Sequence, residues 1–250
     1  MKMLELQSPE YLRICHEMNT SYGGNQNWFS TERWMSQDYQ IHKWGCGVIA
    51  MGDLFLYLAR SNRMYATGAS SLARISRTVL DWEDYKKYIL YLYNTFASVM
   101  PGSGMNGFAL ASSVRRYCVK YQIPMTIAWK GFMDDQTMLR VIRKMLKENL
   151  PVVLSIGPNT PLVFRKKGIP FYVLSEKNEF ILSGSQTVHQ HFVTITGIVY
   201  LKHGKIMLKL SSWGKEYYMD YQEYRTYIKE EGDTITSSLL YLSTTDGTLF

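Results

Sequence analysis

The chain has few cysteines and no long apolar run. Its 250 residues include only three cysteines, Cys15, Cys46 and Cys118, and an odd number at such wide spacing is not a disulfide framework. Residues 1–19 mix charged and polar side chains and lack the apolar core of a signal peptide. No run has the length and purity of a transmembrane helix. The chain as given therefore predicts a cytoplasmic protein with no membrane span, and secretion after removal of a leader stays the alternative.

Signatures of nucleic-acid, nucleotide and metal binding are also missing. The sequence has no zinc-finger spacing, no Gly-rich phosphate loop and no RNA-recognition motif. The net charge of +7 permits an acidic partner, but the basic residues are scattered, and the group from Arg140 to Lys147 has the spacing of a solvated helix face. His189 and His191 resemble a metal-binding pair without a third ligand at suitable spacing. We therefore expect no nucleic-acid partner, no metal and no cofactor.

The order of helical and strand patterns predicts an α+β fold. Hydrophobic content of 46% and charged content of 20% are ordinary for a globular protein. Residues 1–40 look irregular, so we treat residues 1–36 as an N-terminal extension. Apolar periodicity and capping residues predict helices at about 46–60, 82–100, 107–121, 134–149 and 221–229. Strands are predicted at 125–129, 152–156, 171–174, 191–200, 205–211, 217–220 and 238–243. Helices thus precede a mostly antiparallel sheet.

Cys46 has the sequence context of a reactive thiol. It begins the apolar run 46–58, where the positive end of the helix macrodipole would lower the thiol pKa. Gln40 lies six residues before it, and its amide could donate a hydrogen bond to an oxyanion beside the sulfur. The alternative is a buried cysteine that packs as a small hydrophobic residue. Asp53, two helical turns beyond Cys46, should share its face and is expected to be a buried bridging carboxylate.

His191 begins an alternating strand pattern and is the predicted partner of Cys46. The two residues are 145 positions apart, within the separation found in papain-type proteases. They are expected to form a thiolate–imidazolium pair across a cleft. The alternatives are a strand histidine bound to a backbone carbonyl and, if the register differs, His189 as the base. Trp213 is expected to shield His191 from water, to pack in the core, or both.

These motifs together resemble the papain-like cysteine peptidases. The resemblance rests on Gln40, Cys46-Gly47, the strand 191–197 (HFVTITG) and residues 211–214 (SSWG), which are similar to the Asn-Ser-Trp-Gly of papain. It covers about residues 37–230. The Cys-Gly pair is most similar to the bacterial branch related to the bacteriocin-processing double-glycine peptidases.

The resemblance implies a two-lobe fold and a set of roles. The peptidase domain would span 37–250, with a helical lobe at about 37–150 and a sheet lobe at about 151–250. The implied catalytic residues are Cys46, His191, Gln40 and Ser211, and the implied substrate-binding residues are Trp44, Gly45 and Trp213. Ser211 stands where papain has an orienting asparagine and the double-glycine peptidases have an aspartate. The implied partner is a peptide or protein substrate, and the oligomeric state is open.

Three functions are compatible with this pattern. The first is a thiol hydrolase that cleaves a peptide or isopeptide bond through an acyl-enzyme. The second is a papain-like binding module whose hydrolase site is degenerate, with Ser211 as the sign of that loss. The third keeps the acyl-enzyme but transfers the acyl group differently, as an acyltransferase, a transglutaminase-like enzyme or an amidase.

Overall fold

The chain forms six α-helices and twelve β-strands within the residues that the structure describes. A computed structural model describes residues 2–7, 10–97, 99–157, 168–184 and 187–244. The helices are α1 (Gln37–Trp44), α2 (Cys46–Ser61), α3 (Trp82–Thr95), α4 (Gly107–Lys120), α5 (Asp135–Lys147) and α6 (Tyr221–Glu230). The strands are β1 (Lys2–Glu5), β2 (Ile14–His16), β3 (Asn19–Thr20), β4 (Leu80–Asp81), β5 (Met125–Lys130), β6 (Val152–Ile156), β7 (Tyr172–Leu174), β8 (Phe180–Leu182), β9 (His191–Tyr200), β10 (Ile206–Ser212), β11 (Lys215–Asp220) and β12 (Leu239–Thr244).

Nine of the strands form one antiparallel sheet. Its order is β5-β12-β6-β9-β10-β11-β7-β8, and β1 pairs with the C-terminal half of β9 beside β6. The remaining strands, β3-β2-β4, form a small second sheet. The α+β class with a mostly antiparallel sheet is therefore confirmed. The strand that begins with His191 lies at the centre of the large sheet.

Side-chain caps explain where most of the helices begin. Ser36, Asp81, Asn106, Asp134 and Asp220 each accept a hydrogen bond from a backbone N–H in the first turn of α1, α3, α4, α5 and α6, respectively. Helix α2 differs, because its N-cap residue is a glycine and no side chain caps it. The first N–H groups of α2 are thus left to interact with other groups.

Helix α2 is the central helix of the hydrophobic core. Every residue from Gly47 to Ala59 is buried, as expected for a helix that is apolar on nearly all sides. It packs against β9, α3 and α4. No helix among the described residues combines the length and apolar character that crossing a membrane requires.

Core packing and strand pairing run across the predicted domain boundaries. One continuous core joins the helices to the large sheet. Strand β5, inside the predicted helical lobe, pairs along its length with β12 near the C-terminus. Residues 1–36 were treated as an extension, yet β1 belongs to the large sheet and Leu12, Ile14 and Phe29 are buried in the core. The N-terminal segment is thus an integral part of the fold, because its apolar side chains fill the space beside α2 and α3.

Candidate functional site

Cys46 is the first residue of α2 and lies against the start of β9. The adjacent Gly47 permits this approach, since a Cβ there would meet Met105 Sδ at 3.2 Å and Phe192 Cδ2 at 3.3 Å. The backbone N–H of Phe192 points at the thiol of Cys46. The residue is partly exposed. The sulfur therefore touches the strand that carries His191.

His191 lines the same small cavity as Cys46. Its ring is buried, with 7% exposure, and stacks on Trp213 at 4.1 Å between ring centroids and 11° between planes. Nε2 lies 2.8 Å from Ser212 Oγ. Nδ1 makes no hydrogen bond to the described residues. One ring nitrogen is thus held by the Ser212 hydroxyl.

Ser212, rather than Ser211, provides the hydroxyl beside His191. Ser211 pairs with Thr194 across β9 and β10, and its hydroxyl donates to the carbonyl of Tyr22 at 2.9 Å. Successive side chains of a strand alternate between the two faces of the sheet. Thr194 is three positions from His191, so Ser211 and His191 belong to opposite faces. The sequence predicts Ser211 as the residue that contacts His191, whereas in the structure this residue is Ser212.

Trp213 occupies a hairpin position that is unusual for a large side chain. Trp213 and Gly214 join β10 to β11, with φ values of 46° and 72°, and residues on either side of them, Ser212 and Lys215, are paired. Positive φ at both central residues is typical of a type I′ turn and is uncommon for a bulky residue. The turn sets the indole flat on the His191 ring. The indole thereby covers one face of the His191 ring.

Burial shifts the pKa values of Cys46 and His191 in the directions that favour their neutral forms. Burial raises the pKa of the Cys46 thiol above its ordinary value, and the hydrogen bonds from the Phe192 and Gly47 backbone oppose this only in part. Burial lowers the pKa of His191 to about 3. Desolvation disfavours the charged form of each group. Burial thus works against the expected thiolate–imidazolium pair.

Gln40 does not lie at the cysteine cavity. It belongs to α1, a helix that the sequence interpretation took for irregular chain, and its side chain faces α3. Its Nε2 donates to the carbonyl of Met35 at 3.0 Å, and its Oε1 accepts from Tyr93 at 2.9 Å. The separation of six residues is spanned by a helix and a turn, which point Gln40 away from Cys46.

Gln26 is the glutamine that lines the cavity. It lies in a short 3₁₀ helix at Gln26–Trp28, and its Nε2 donates to the carbonyl of His42 at 2.9 Å. Its Oε1 is buried and accepts no hydrogen bond from the described residues. Sequence spacing could not reveal this residue, which is 20 positions before Cys46. The only local signal is the preceding Gly23-Gly24 pair, which marks a close approach of backbone to another element.

Asp53 fixes the loop that carries Gln26. Its Oδ2 accepts from the Gly24 N–H at 2.8 Å, and its Oδ1 accepts from the Tyr85 hydroxyl at 2.7 Å. It is buried and lines the cavity, and burial raises its pKa to about 6. The expectation of a bridging carboxylate on the face of Cys46 agrees with this geometry.

Trp44 and Gly45 lie outside the residues that line the cavity. Trp44 ends α1 and packs edge-on against Tyr39 at 6.1 Å. Gly45 is buried, its N–H donates to the carbonyl of Ile41 at 2.8 Å, and it caps α2. Of the three residues assigned to substrate binding, only Trp213 reaches the cavity.

The cavity is small and chemically specific. Its volume of about 20 Å³ is that of roughly one water molecule, and its lining combines Cys46, His191, Gln26 and Asp53 with three hydroxyl side chains, Thr194, Ser211 and Ser212. Among the described residues, no three His, Cys, Asp or Glu side chains are grouped to hold a metal ion. The arrangement offers a nucleophile, a base and hydrogen-bond donors.

Comparison of the chain with models of known protein families, with curated proteins and with solved structures finds no match.

Proposed function

We propose that the protein is a thiol hydrolase that cleaves a peptide or isopeptide bond through a Cys46 acyl-enzyme. The observation that carries this proposal is the meeting of Cys46, at the uncapped start of α2, with His191, at the start of β9, in one cavity. Nucleophilic catalysis by cysteine needs a thiol, a base that takes its proton and a group that holds the base. Cys46, His191 and Ser212 supply these three.

Because burial disfavours the charged forms of Cys46 and His191, the thiol proton would be transferred during the attack on the carbonyl. As the sulfur bonds to the carbonyl carbon, the thiol proton passes to His191 Nδ1 and the carbonyl π electrons move to oxygen. The intermediate collapses with loss of the amine, which takes the proton from His191. Water, with His191 again as base, then hydrolyses the thioester and restores the thiol.

The oxyanion would be bound at the start of α2. The Cys46 N–H is not engaged by a capping side chain, and Gln26 has a second amide hydrogen besides the one donated to His42. Donors of this kind favour the charge that develops in the transition state. We assign this role to Gln26 in place of Gln40.

The papain-like arrangement of two lobes is part of the same proposal. It is supported by the helix that begins with the cysteine, the antiparallel strand that begins with the histidine, and the stacked Trp213. A hydroxyl replaces the amide or carboxylate that such peptidases place on the histidine.

A degenerate binding module is the second candidate. The cavity of about 20 Å³ is too small for an acyl group without movement of its lining, and burial lowers the pKa of the base. A protein that had lost catalysis would keep such a closed site. An acyltransferase or amidase would use the same acyl-enzyme, and comparison of acceptor amines with water separates these from a hydrolase.

The rate at which iodoacetamide alkylates each cysteine tests the proposal. Cys15 is exposed and serves as the ordinary thiol in the same molecule, and buried Cys118 serves as the unreactive one. We expect Cys46 to react faster than Cys15 at pH 7 in spite of its lower exposure, because His191 would take the thiol proton as the sulfur attacks. His191→Gln should abolish that advantage and leave Cys15 unchanged.

The opposite result would favour the binding module. If Cys46 reacts more slowly than Cys15 at every pH, and His191→Gln has no effect, the site does not activate the thiol. Folding of the variant is checked by its unfolding midpoint, so that a loss of reactivity is not confused with a loss of structure.

A further inference from the structure

A second depression begins where the cysteine cavity ends. It has a volume of about 560 Å³, and its lining includes Phe171, Thr187, Val188, His189, Trp213 and Tyr217. Trp213 lines both spaces, so the groove and the small cavity share one indole. A group bound in the groove would lie next to the ring that covers His191.

Three aromatic residues line the groove, together with the polar residues Ser183, Thr187 and His189. Phe171 lies 6.1 Å from Trp213 and 5.4 Å from Tyr217 between ring centroids. None of the described lining residues is Asp, Glu, Lys or Arg, although the chain has a net charge of +7. Burial raises the pKa of Tyr217, so its hydroxyl stays neutral. The three aromatic rings favour an apolar group.

Backbone hydrogen bonds hold the walls of the groove in place. The Ser183 N–H donates to the carbonyl of Phe171 at 2.8 Å, and Ile169 and Val188 exchange two such bonds, each at 2.8 Å. The hairpin at Trp213 forms a further side of the groove. The groove is thus built from paired backbone segments, which makes it a preformed site rather than a gap between mobile side chains.

We propose that this groove binds an uncharged aromatic or large aliphatic group of the substrate, adjacent to the carbonyl that Cys46 attacks. The inference rests on the proposed function and names its substrate class. A volume of about 560 Å³ lies within the range of small-ligand sites, and an aromatic ring gains both area burial and ring contacts against Phe171 and Tyr217.

Three alkylating reagents that differ in one group test the groove. Iodoacetamide, N-benzyliodoacetamide and iodoacetylglycine are compared by their second-order rates at Cys46, and the rate at exposed Cys15 corrects for intrinsic reactivity. We expect the benzyl reagent to exceed iodoacetamide by at least about tenfold at Cys46 only, as burial of an aromatic ring predicts. Iodoacetylglycine should react no faster than iodoacetamide.

Two further measurements link the preference to the groove. Tyr217→Ala should reduce the benzyl advantage, taken as the ratio of the two rates in the same variant, to about threefold or less through lost ring contact. Phe108→Ala, an exposed aromatic on α4, is the matched control and should change neither rate. On the unaltered protein, N-acetylphenylalaninamide should slow iodoacetamide labelling of Cys46 in a saturable manner, whereas N-acetylaspartamide should not.

The groove and the hydrolase can fail separately. Equal corrected rates for the benzyl reagent and iodoacetamide, or no protection by N-acetylphenylalaninamide at millimolar concentration, would overturn the groove even if labelling depends on His191. If Cys46 is labelled equally fast in His191→Gln and in the unaltered protein, the proposed function is overturned, whatever the benzyl preference.

Discussion

The two walls of the cysteine cavity are held in different ways. His191, Ser212 and Trp213 belong to β9, β10 and their hairpin, and the sheet ladder fixes them. The opposite wall, residues 22–26, has no ladder. Three backbone hydrogen bonds hold it, from Tyr22 to Gly214, from Gly214 to Gly24 and from Gly23 to Leu12, together with the side chains of Asp53 and Ser211.

This difference shows where the site is sensitive. A strand wall is supported by many equivalent hydrogen bonds, so that loss of one contact is shared by its neighbours. The N-terminal wall depends on a few close contacts, and each substitution there should act directly on the position of Gln26.

Gly23→Ala should produce the largest effect. A Cβ at Gly23 would meet Ser211 Oγ at 2.2 Å, and the residue has a φ of 79°. Backbone strain and overpacking together should lower the free energy of unfolding by about 2–4 kcal/mol. Gly204→Ala is the matched control, because its φ is 78° and nothing lies within 4 Å of the added Cβ. Urea denaturation should show a cost of only about 1 kcal/mol for Gly204→Ala. Equal losses of unfolding free energy in the two variants would mean that residues 22–26 shift without cost to accommodate the added methyl group.

Gln26→Ala should slow acylation without unfolding the protein. Loss of one oxyanion donor should reduce the acylation rate with p-nitrophenyl acetate by about 10- to 100-fold. Gln40→Ala removes a glutamine that contacts Met35 and Tyr93 instead, and its rate should stay within about twofold of the unaltered protein. If Gln40→Ala slows acylation more than Gln26→Ala does, the oxyanion donor is Gln40, as the sequence spacing predicts.

Asp53 and His191 should give opposite pH dependences of stability. The pKa of His191 is lowered to about 3, so the unfolded chain binds the extra proton and stability falls as the pH drops below the ordinary value of about 6.5. The pKa of Asp53 is raised to about 6, so the folded chain binds the extra proton and stability falls as the pH rises from about 4 toward 6.

Single variants separate these two contributions. In Asp53→Asn, the free energy of unfolding should rise with pH between about 4 and 6 more steeply than in the unaltered protein, by up to ~1.4 kcal/mol per pH unit. In His191→Phe, which retains a ring on Trp213, the slope should shift in the opposite direction by a similar amount. Urea titrations at several pH values measure both, and parallel curves for the two variants would contradict the assigned pKa shifts.

Ser212→Ala and Ser211→Ala should have the smallest effects, and on different properties. Loss of the Ser212 hydroxyl should slow iodoacetamide labelling of Cys46 about fivefold, because a hydrogen bond that holds His191 is worth about 1 kcal/mol. Ser211→Ala should leave labelling unchanged and lower the free energy of unfolding by about 1 kcal/mol, since its hydroxyl holds Tyr22. Slower labelling in Ser211→Ala alone would reverse the assignment.

Most of the regular structure follows from local patterns. Helix α2 begins at Cys46 as expected, and β6 and β9 have the predicted bounds, 152–156 and 191–200. Caps and periodicity act within a few residues of the element they define, so they can be read along the chain. Helix α1 and strand β1 were missed because short elements with mixed polarity carry little periodic signal.

The residues of the candidate site fall into two groups, those marked by a local sequence pattern and those positioned by tertiary contacts. Cys46 and His191 could be singled out in the sequence because each begins a strongly patterned element. Gln26 was missed because its position comes from Gly23, Gly24 and Asp53, which are close to it only in the folded chain. Ser212 was misjudged by one residue because strand parity relative to His191 depends on the pairing of β9 with β10.

The α+β class, the helix behind Cys46 and the strand that begins with His191 follow from the amino-acid sequence, because helix and strand periodicity are local properties of the chain. The tertiary structure decided which glutamine and which serine lie beside these two residues, and that burial disfavours the charged forms of the thiol and the imidazole. These features depend on desolvation and on contacts between segments that are far apart in the chain, which no local pattern encodes.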